Sequence, residues 1–167
     1  PDRYEAWHAG KSSWKNYKSL NKNSIGIEVS NPGHGPSYKK FSDKQINSLL
    51  RLSKFLIKKY NINSKNILGH SDISPHRKKD PGEKFPWKYL AKNKIGTWHT
   101  LTNKDLKKNR LLKVDNSSKN SFFRNLSTIG YSKKIPRNFT KNKYLILSTK
   151  AFQRRYRQEL VNGKIDK

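Results

Sequence analysis

The stretch GHSDISPHRKKDPG, residues 69–82, gathers two histidines, two aspartates and a run of cations, and closes on the turn sequence Asp-Pro-Gly. His70 ends a short apolar run, KNILGH (65–70), that reads as a strand, and Asp80 follows in a turn-rich loop. A strand end presenting an imidazole, with a loop folding back to bring a carboxylate, places two ligands on one ion. Zinc accepts imidazole nitrogen and carboxylate oxygen, and a catalytic zinc takes three protein ligands with a position left open for water. The chain has no cysteine. Disulfides and thiolate sites are therefore excluded, and any transition-metal site must be built from His, Asp, Glu and water. The competing reading is a histidine that is simply solvated in a polar loop.

Glu28 interrupts the apolar run SIGIEVSN (24–31). Within a buried strand a carboxylate is costly unless paired or put to use, and desolvation would raise its pKa toward the range a general base needs. If the strand alternates instead, Gly26, Glu28 and Ser30 share a face turned to water. Lys78, just before Asp80, is placed to stabilise an oxyanion on a metal-bound carbonyl. In a chain with 38 lysines and arginines, however, one lysine carries little information. AWHAG (6–10) sets Trp7 and His8 beside small residues. It reads either as an aromatic lining for a sugar or peptide cleft, or as a packed Trp with a satisfied His.

These side chains need a frame. SIGIEVSN reads as a buried strand and NPGHGPS (31–37) as turn chemistry. FSDKQINSLLRLSKFLIKKY (41–60) is an amphipathic helix. Ser42 and Gln45 have the spacing of a capping box, and Ile46, Leu49, Leu50, Leu56, Ile57 and Tyr60 recur on one face. The run 65–70 is a second strand, 71–84 a polar loop, and FPWKYLAK (85–92) opens a helix with Pro86 in its first turn. This order predicts an α/β fold, a mixed β-sheet flanked by helices. Near residue 100 the texture changes. SKNSFFRNLSTIGY (118–131) reads as a helix stopped near Gly130, YLILSTKAFQRRYRQ (144–158) as another, and no further strand is evident. Two domains are expected: residues 1–99, α/β, and residues 100–167, a small all-helical module.

The formal charge of +27 attracts polyanions, nucleic acid above all. The cations are spread along the whole chain in a Lys- and Asn-rich composition and form no single stripe, which favours compositional bias over a dedicated nucleic-acid surface. No apolar run approaches the roughly eighteen residues of a membrane span, and the first residues are too polar for a signal peptide. The chain contains no methionine. The expectation is an absent N-terminal portion; simple removal of an initiator ahead of Pro1 is the alternative.

Taken together, AWHAGKSSW, LNKNSIGIEVSN and GHSDISPHRKKDPGEKFPW resemble, in order, the motifs of type-2 N-acetylmuramoyl-L-alanine amidases, zinc hydrolases that share a fold with peptidoglycan recognition proteins. The resemblance covers residues 1 to about 92. FFRNLSTIGY, AFQRRYRQ and NGKID resemble a helical peptidoglycan-binding module, a combination similar to the periplasmic, lipoprotein-anchored amidases of Gram-negative bacteria. The resemblance implies that His70 and Asp80 are two of three ligands to Zn2+, that Glu28 activates the attacking water, and that Lys78 stabilises the tetrahedral intermediate. It places Trp7 and His8 along the cleft and gives His34, His76 and His99 no ligand position. The implied reaction cleaves the amide between N-acetylmuramic acid and L-alanine, in peptidoglycan or muropeptides.

The family's first zinc ligand is a His on a strand upstream of the WHAG motif, and that strand and His lie before Pro1. The family's helical module would likewise run past NGKIDK. The expectation is a chain cut at both ends, a fragment or the product of a split gene, that binds zinc weakly and turns over little. A substitute ligand from His8 or His34 is the alternative. A non-catalytic peptidoglycan-binding module is the rival function, against which the retained Glu28, His70, Lys78 and Asp80 argue. The expected protein is a monomer of the bacterial envelope, periplasmic or outer-membrane-associated, with a cytoplasmic location as the alternative.

Overall fold

The computed structural model describes residues 3–166. Its helices are α1 (Asp43–Tyr60), α2 (His70–Ile73), α3 (Trp87–Lys92), α4 (Asn103–Arg110), α5 (Asn116–Ile129) and α6 (Lys141–Tyr156); its strands are β1 (Ser13–Trp14) and β2 (Tyr17–Lys18).

Helix α1 begins where its capping chemistry says it should. Ser42 Oγ accepts from the Gln45 backbone N–H, and the Gln45 side chain accepts from the Ser42 N–H at 3.0 Å, satisfying two of the donors a helix start leaves open. The helix ends at Asn61, in the left-handed region at φ 49°, a conformation Asn tolerates better than most residues. Its Ile46, Leu49 and Leu50 face packs on Phe85, Trp87, Leu90 and Ile95. Each such side chain removed from water contributes about 1.5–3 kcal/mol. The buried stripe is narrower than the sequence suggests: Leu56 and Ile57 are half-buried and Tyr60 is exposed.

The expected mixed sheet is not formed among the described residues, where β1 and β2 make a two-stranded antiparallel hairpin with Ser13 opposite Lys18 and Trp14 opposite Tyr17. Residues 24–31 join no ladder. Ile25 and Ile27 are exposed at 45% and 37%, and Val29 alone of the run packs on the first core. The reason is physical: a strand exists through pairing, and no described segment runs alongside to bond it or to give its isoleucines a sheet face. Helix α1 helps to hold the segment: its Gln45 Nε2 donates to the Ser30 carbonyl at 2.6 Å.

The strand expected at 65–70 is likewise replaced. Asn63 caps a short 3-10 turn, Ser64–Asn66, accepting from the Lys65 N–H at 2.9 Å, and α2 starts at His70. Ile67 and Leu68 only bridge these two turns, one packing on each core.

A second core joins Ala9, Trp14 and Leu20 to Leu126, Tyr131 and Ala151, with Leu68, Ile73, Phe122 and Phe152 around it. It therefore draws side chains from both sides of residue 100. Gly130 is the hinge of this packing. It caps α5 at φ 143°, donates its N–H to Leu126 O, and lies so close beneath the Trp14 ring that a Cβ would clash. The Lys15 N–H donates to the Gly130 carbonyl at 2.7 Å. Helix α4, not foreseen from periodicity, starts on a Thr102–Asp105 capping box. No helix among the described residues is long and apolar enough to cross a membrane.

Candidate metal and active site

The segment 71–84, expected to be a polar loop, is at its start seated in the protein. Ser71, Asp72 and Ser74 are buried. Asp72 Oδ2 accepts from the Gly69 N–H at 2.9 Å, capping α2. The Ser71 N–H donates to the Asp80 carbonyl at 2.9 Å and brings the far end of the loop back beside its start. Ser74 Oγ donates to the Lys11 carbonyl at 2.9 Å.

His70 is the first residue of α2 rather than the last of a strand. Its Nδ1 lies 3.0 Å from Asp80 Oδ2 and its Nε2 lies 3.2 Å from the Ala9 carbonyl oxygen. Two ligands of one tetrahedral zinc, each about 2.0–2.2 Å from the ion, sit about 3.3–3.5 Å apart, so the pair is nearly at ligand spacing. The Nδ1···Oδ2 contact is a hydrogen bond here; the tautomer that would bind a metal carries its proton on Nε2, donated to the Ala9 carbonyl, and turns the Nδ1 lone pair to the space shared with Asp80. That is how a metal-binding imidazole is oriented by its other nitrogen. The donor set and its support fit two positions of a zinc site.

The hydrogen bond with His70 holds the Asp80 carboxyl below its usual range, against partial burial, and the Lys78 charge pulls the same way. Among the described residues no third His, Cys, Asp or Glu joins this pair. Both substitute candidates are engaged elsewhere. His8 has Nε2 at 2.8 Å from Ser24 Oγ and Nδ1 at 2.8 Å from the Ala6 carbonyl. His34 has Nε2 at 2.9 Å from Glu83 Oε2.

The remaining expected site residues are distributed around this centre. Glu28 is exposed, as in the alternating reading of its segment. Lys78 is half-buried near Asp80. Trp7 is 93% exposed, so its ring is not part of the core. His8 lies on Gly26, where a Cβ would stand 2.8 Å from the imidazole; glycine is needed there for close approach.

Several contributors escaped the sequence. Asn21 Oδ1 accepts the N–H groups of Ala9 and Gly10 at 2.8 and 3.1 Å, and that of His8 at 3.3 Å, pinning the WHAG turn with one oxygen. Arg77 Nη2 donates to the Ala9 carbonyl at 2.8 Å and lies 3.3 Å from His70 Nε2. It is packed over Gly10, whose φ is 58°. The basic run 77–79 marked cations without telling which one reaches the Ala9 carbonyl.

A loop that brings an imidazole and a carboxylate near ligand spacing, with a lysine close by, is an arrangement that a metal-dependent hydrolase would use. Residues 1–83 match the family described as N-acetylmuramoyl-L-alanine amidase, and the chain belongs to that family. It is 34% identical to the N-acetylmuramoyl-L-alanine amidase AmiD of Escherichia coli K12 over 171 residues, covering 99% of this chain and 61% of that protein. It is 42% identical to the 1,6-anhydro-N-acetylmuramyl-L-alanine amidase AmpD of Haemophilus influenzae over 88 residues, 52% of this chain and 46% of the relative. The crystallised E. coli AmiD complex with anhydro-N-acetylmuramic acid-L-Ala-D-gamma-Glu-L-Lys superposes with a TM-score of 0.84 at 34% identity, covering 99% of this chain and 65% of that one. The chain thus spans about three fifths of the length of AmiD.

Proposed function

We propose that this chain carries the amidase chemistry of its family: hydrolysis of the amide between the lactyl group of N-acetylmuramic acid and L-alanine, in peptidoglycan or muropeptides. The observation that carries the reading is the His70–Asp80 pair at 3.0 Å inside the stretch matching the amidase family. His70 Nδ1 and Asp80 Oδ2 would hold Zn2+. Bound there, zinc supplies a Lewis acid for the scissile carbonyl and lowers the pKa of its water. Glu28 accepts the proton of the attacking water and returns it to the leaving amine. Lys78 donates to the oxygen on which charge develops. Trp7 presents an apolar face to the sugar or stem peptide, with His8 behind it.

Residues 100–167 serve as a peptidoglycan-binding-like module. The match to AmpD extends over 88 residues whereas that to AmiD spans nearly the whole chain, which supports a division of labour near residue 100. The charge of +27 favours an anionic cell-wall surface, since stem peptides carry free carboxylates. We place the protein in the bacterial envelope, as a monomer.

A second reading has its own support. With only two ligand-type side chains together among the described residues, the chain taken alone would recognise muropeptide without cutting it fast. The two are separated by measuring zinc per chain after dialysis against trace zinc, and L-alanyl peptide release from an anhydro-muramyl tripeptide with zinc supplied. We expect weakly held zinc and slow release that Glu28→Gln abolishes while leaving metal binding intact. Binding of the tripeptide with no Glu28-dependent release at any zinc concentration would select the binding module. Fast turnover with one tightly held zinc would refute the weak-site expectation.

A further inference from the structure

Helix α2 is a single turn, too short to hold its shape by backbone hydrogen bonds alone. It carries His70, so something else must fix it. Asp72 caps it from within through the Gly69 N–H, but Asp72 is 2% exposed and needs compensation for its charge. That compensation comes from the other end of the chain. Arg155, on α6 and itself 3% exposed, donates from Nη1 to Asp72 Oδ2 at 2.8 Å. Its Nη2 donates to the Ile67 carbonyl at 3.0 Å. One guanidinium therefore clasps both flanks of Gly69, and its Cζ lies 4.0 Å from the centroid of the Trp87 ring.

Tyr131, just past α5, donates its hydroxyl to Asp72 Oδ1 at 2.6 Å. Burial, with the Asp72 charge beside it, pushes that hydroxyl well above its ordinary pKa, so it stays a donor. Gly69 is hemmed in besides: a Cβ there would stand 2.8 Å from Pro81 and 3.3 Å from Trp87. At the loop's far side the His76 ring stands edge-on to Phe139 at 5.7 Å and tilted toward Tyr144 at 6.2 Å.

We propose that Arg155 and Tyr131 are positioning residues for the metal-ligand loop, so that the helical half of the chain sets the metal affinity of the site through Asp72. The inference rests on His70 and Asp80 being metal ligands. Arginine is required at 155. A lysine ammonium is one point charge and does not present the planar fork that reaches two acceptors beside the indole.

The test is the zinc dissociation constant of the full chain, by competition with a chromophoric chelator, with thermal unfolding measured in parallel. Arg155→Lys is expected to weaken zinc about tenfold, and Tyr131→Phe to weaken it by a smaller factor. Leu126→Ala serves as the control; it removes a buried side chain from the same core without touching Asp72. It should lower the melting temperature and leave zinc affinity unchanged. Zinc affinity within twofold of wild type in both Arg155→Lys and Tyr131→Phe overturns the proposal, as does an equal loss in Leu126→Ala. If Arg155→Lys fails to fold, Tyr131→Phe against Leu126→Ala decides. His70→Ala separates the two levels. If it binds zinc as well as wild type, the metal-site reading itself falls and the positioning role with it. If it loses zinc while the positioning variants do not, only the positioning role falls.

Discussion

Removing one oxygen atom, by Tyr131→Phe, tests how firmly the two parts of the chain are joined. The ring itself has ample support that the substitution preserves: it is 4% exposed and meets Trp14 edge-on at 5.2 Å. What goes is the hydroxyl's 2.6 Å hydrogen bond to Asp72 Oδ1, a bond to a buried charge whose other oxygen is held by Arg155 and the Gly69 N–H. Hydrogen bonds to charged groups contribute about 1.5–3 kcal/mol, and an acceptor left without its donor in a dry site puts the loss toward the upper part of that range. For a chain of this length about 2.5 kcal/mol corresponds to a fall of roughly 5–10 °C in melting temperature. Urea unfolding followed by far-UV circular dichroism measures it: the midpoint should fall with an unchanged slope. A variant within 0.5 kcal/mol of wild type, on the ±0.5 kcal/mol scale of ordinary surface changes, would refute the claim that this hydroxyl compensates Asp72.

Other expectations follow from the same contacts. Gly130→Ala should destabilise by about 1–3 kcal/mol, since its backbone sits at φ 143° and a Cβ would meet the Trp14 indole; chemical unfolding reads this directly, and a neutral result would mean that the hinge is not tight. Trp7→Ala should leave the melting temperature unchanged, because the ring is 93% exposed, while raising KM for muropeptide; a lowered melting temperature would make Trp7 a packing residue. Burial, reinforced by Arg77 for His76 and by Lys88 and Arg110 for His99, lowers the pKa of both imidazoles in the folded chain. The unfolded state then binds more protons below its own histidine pKa of about 6.5, so stability falls as pH drops through that value and levels off below the folded pKa. His76→Phe should flatten part of that slope in denaturant midpoints taken from pH 8 to 5, and an unchanged slope would exclude His76 from it.

Local chemistry was legible wherever neighbours in sequence decide the outcome. The 3.6-residue spacing of Ile46, Leu49 and Leu50 and the Ser42–Gln45 pair specify α1 and its start. Pro86 opens α3, and Gly130 stops α5. The His70–Asp80 separation suggested that the two side chains meet, because a turn-rich loop of that length can close on itself, and it does.

What the sequence alone did not determine are the choices made between distant partners. The apolar runs 24–31 and 65–70 look like strands, yet a strand needs another beside it, and alternation of side chains carries no information on whether one is present. Asp72 reads as one more loop acid. Only the closure of the chain over 83 residues brings Arg155 to it, because a carboxylate removed from water must find a cation wherever the fold supplies one. The fold likewise brings the exposed Arg77 onto the Ala9 carbonyl and leaves Glu28 at the surface. Sequence thus determined the local elements and the chemical character of the site, through propensity, capping and periodicity. Tertiary structure decided which buried charges meet and how the 69–82 loop is held, because desolvation and packing act between residues that have no proximity along the chain.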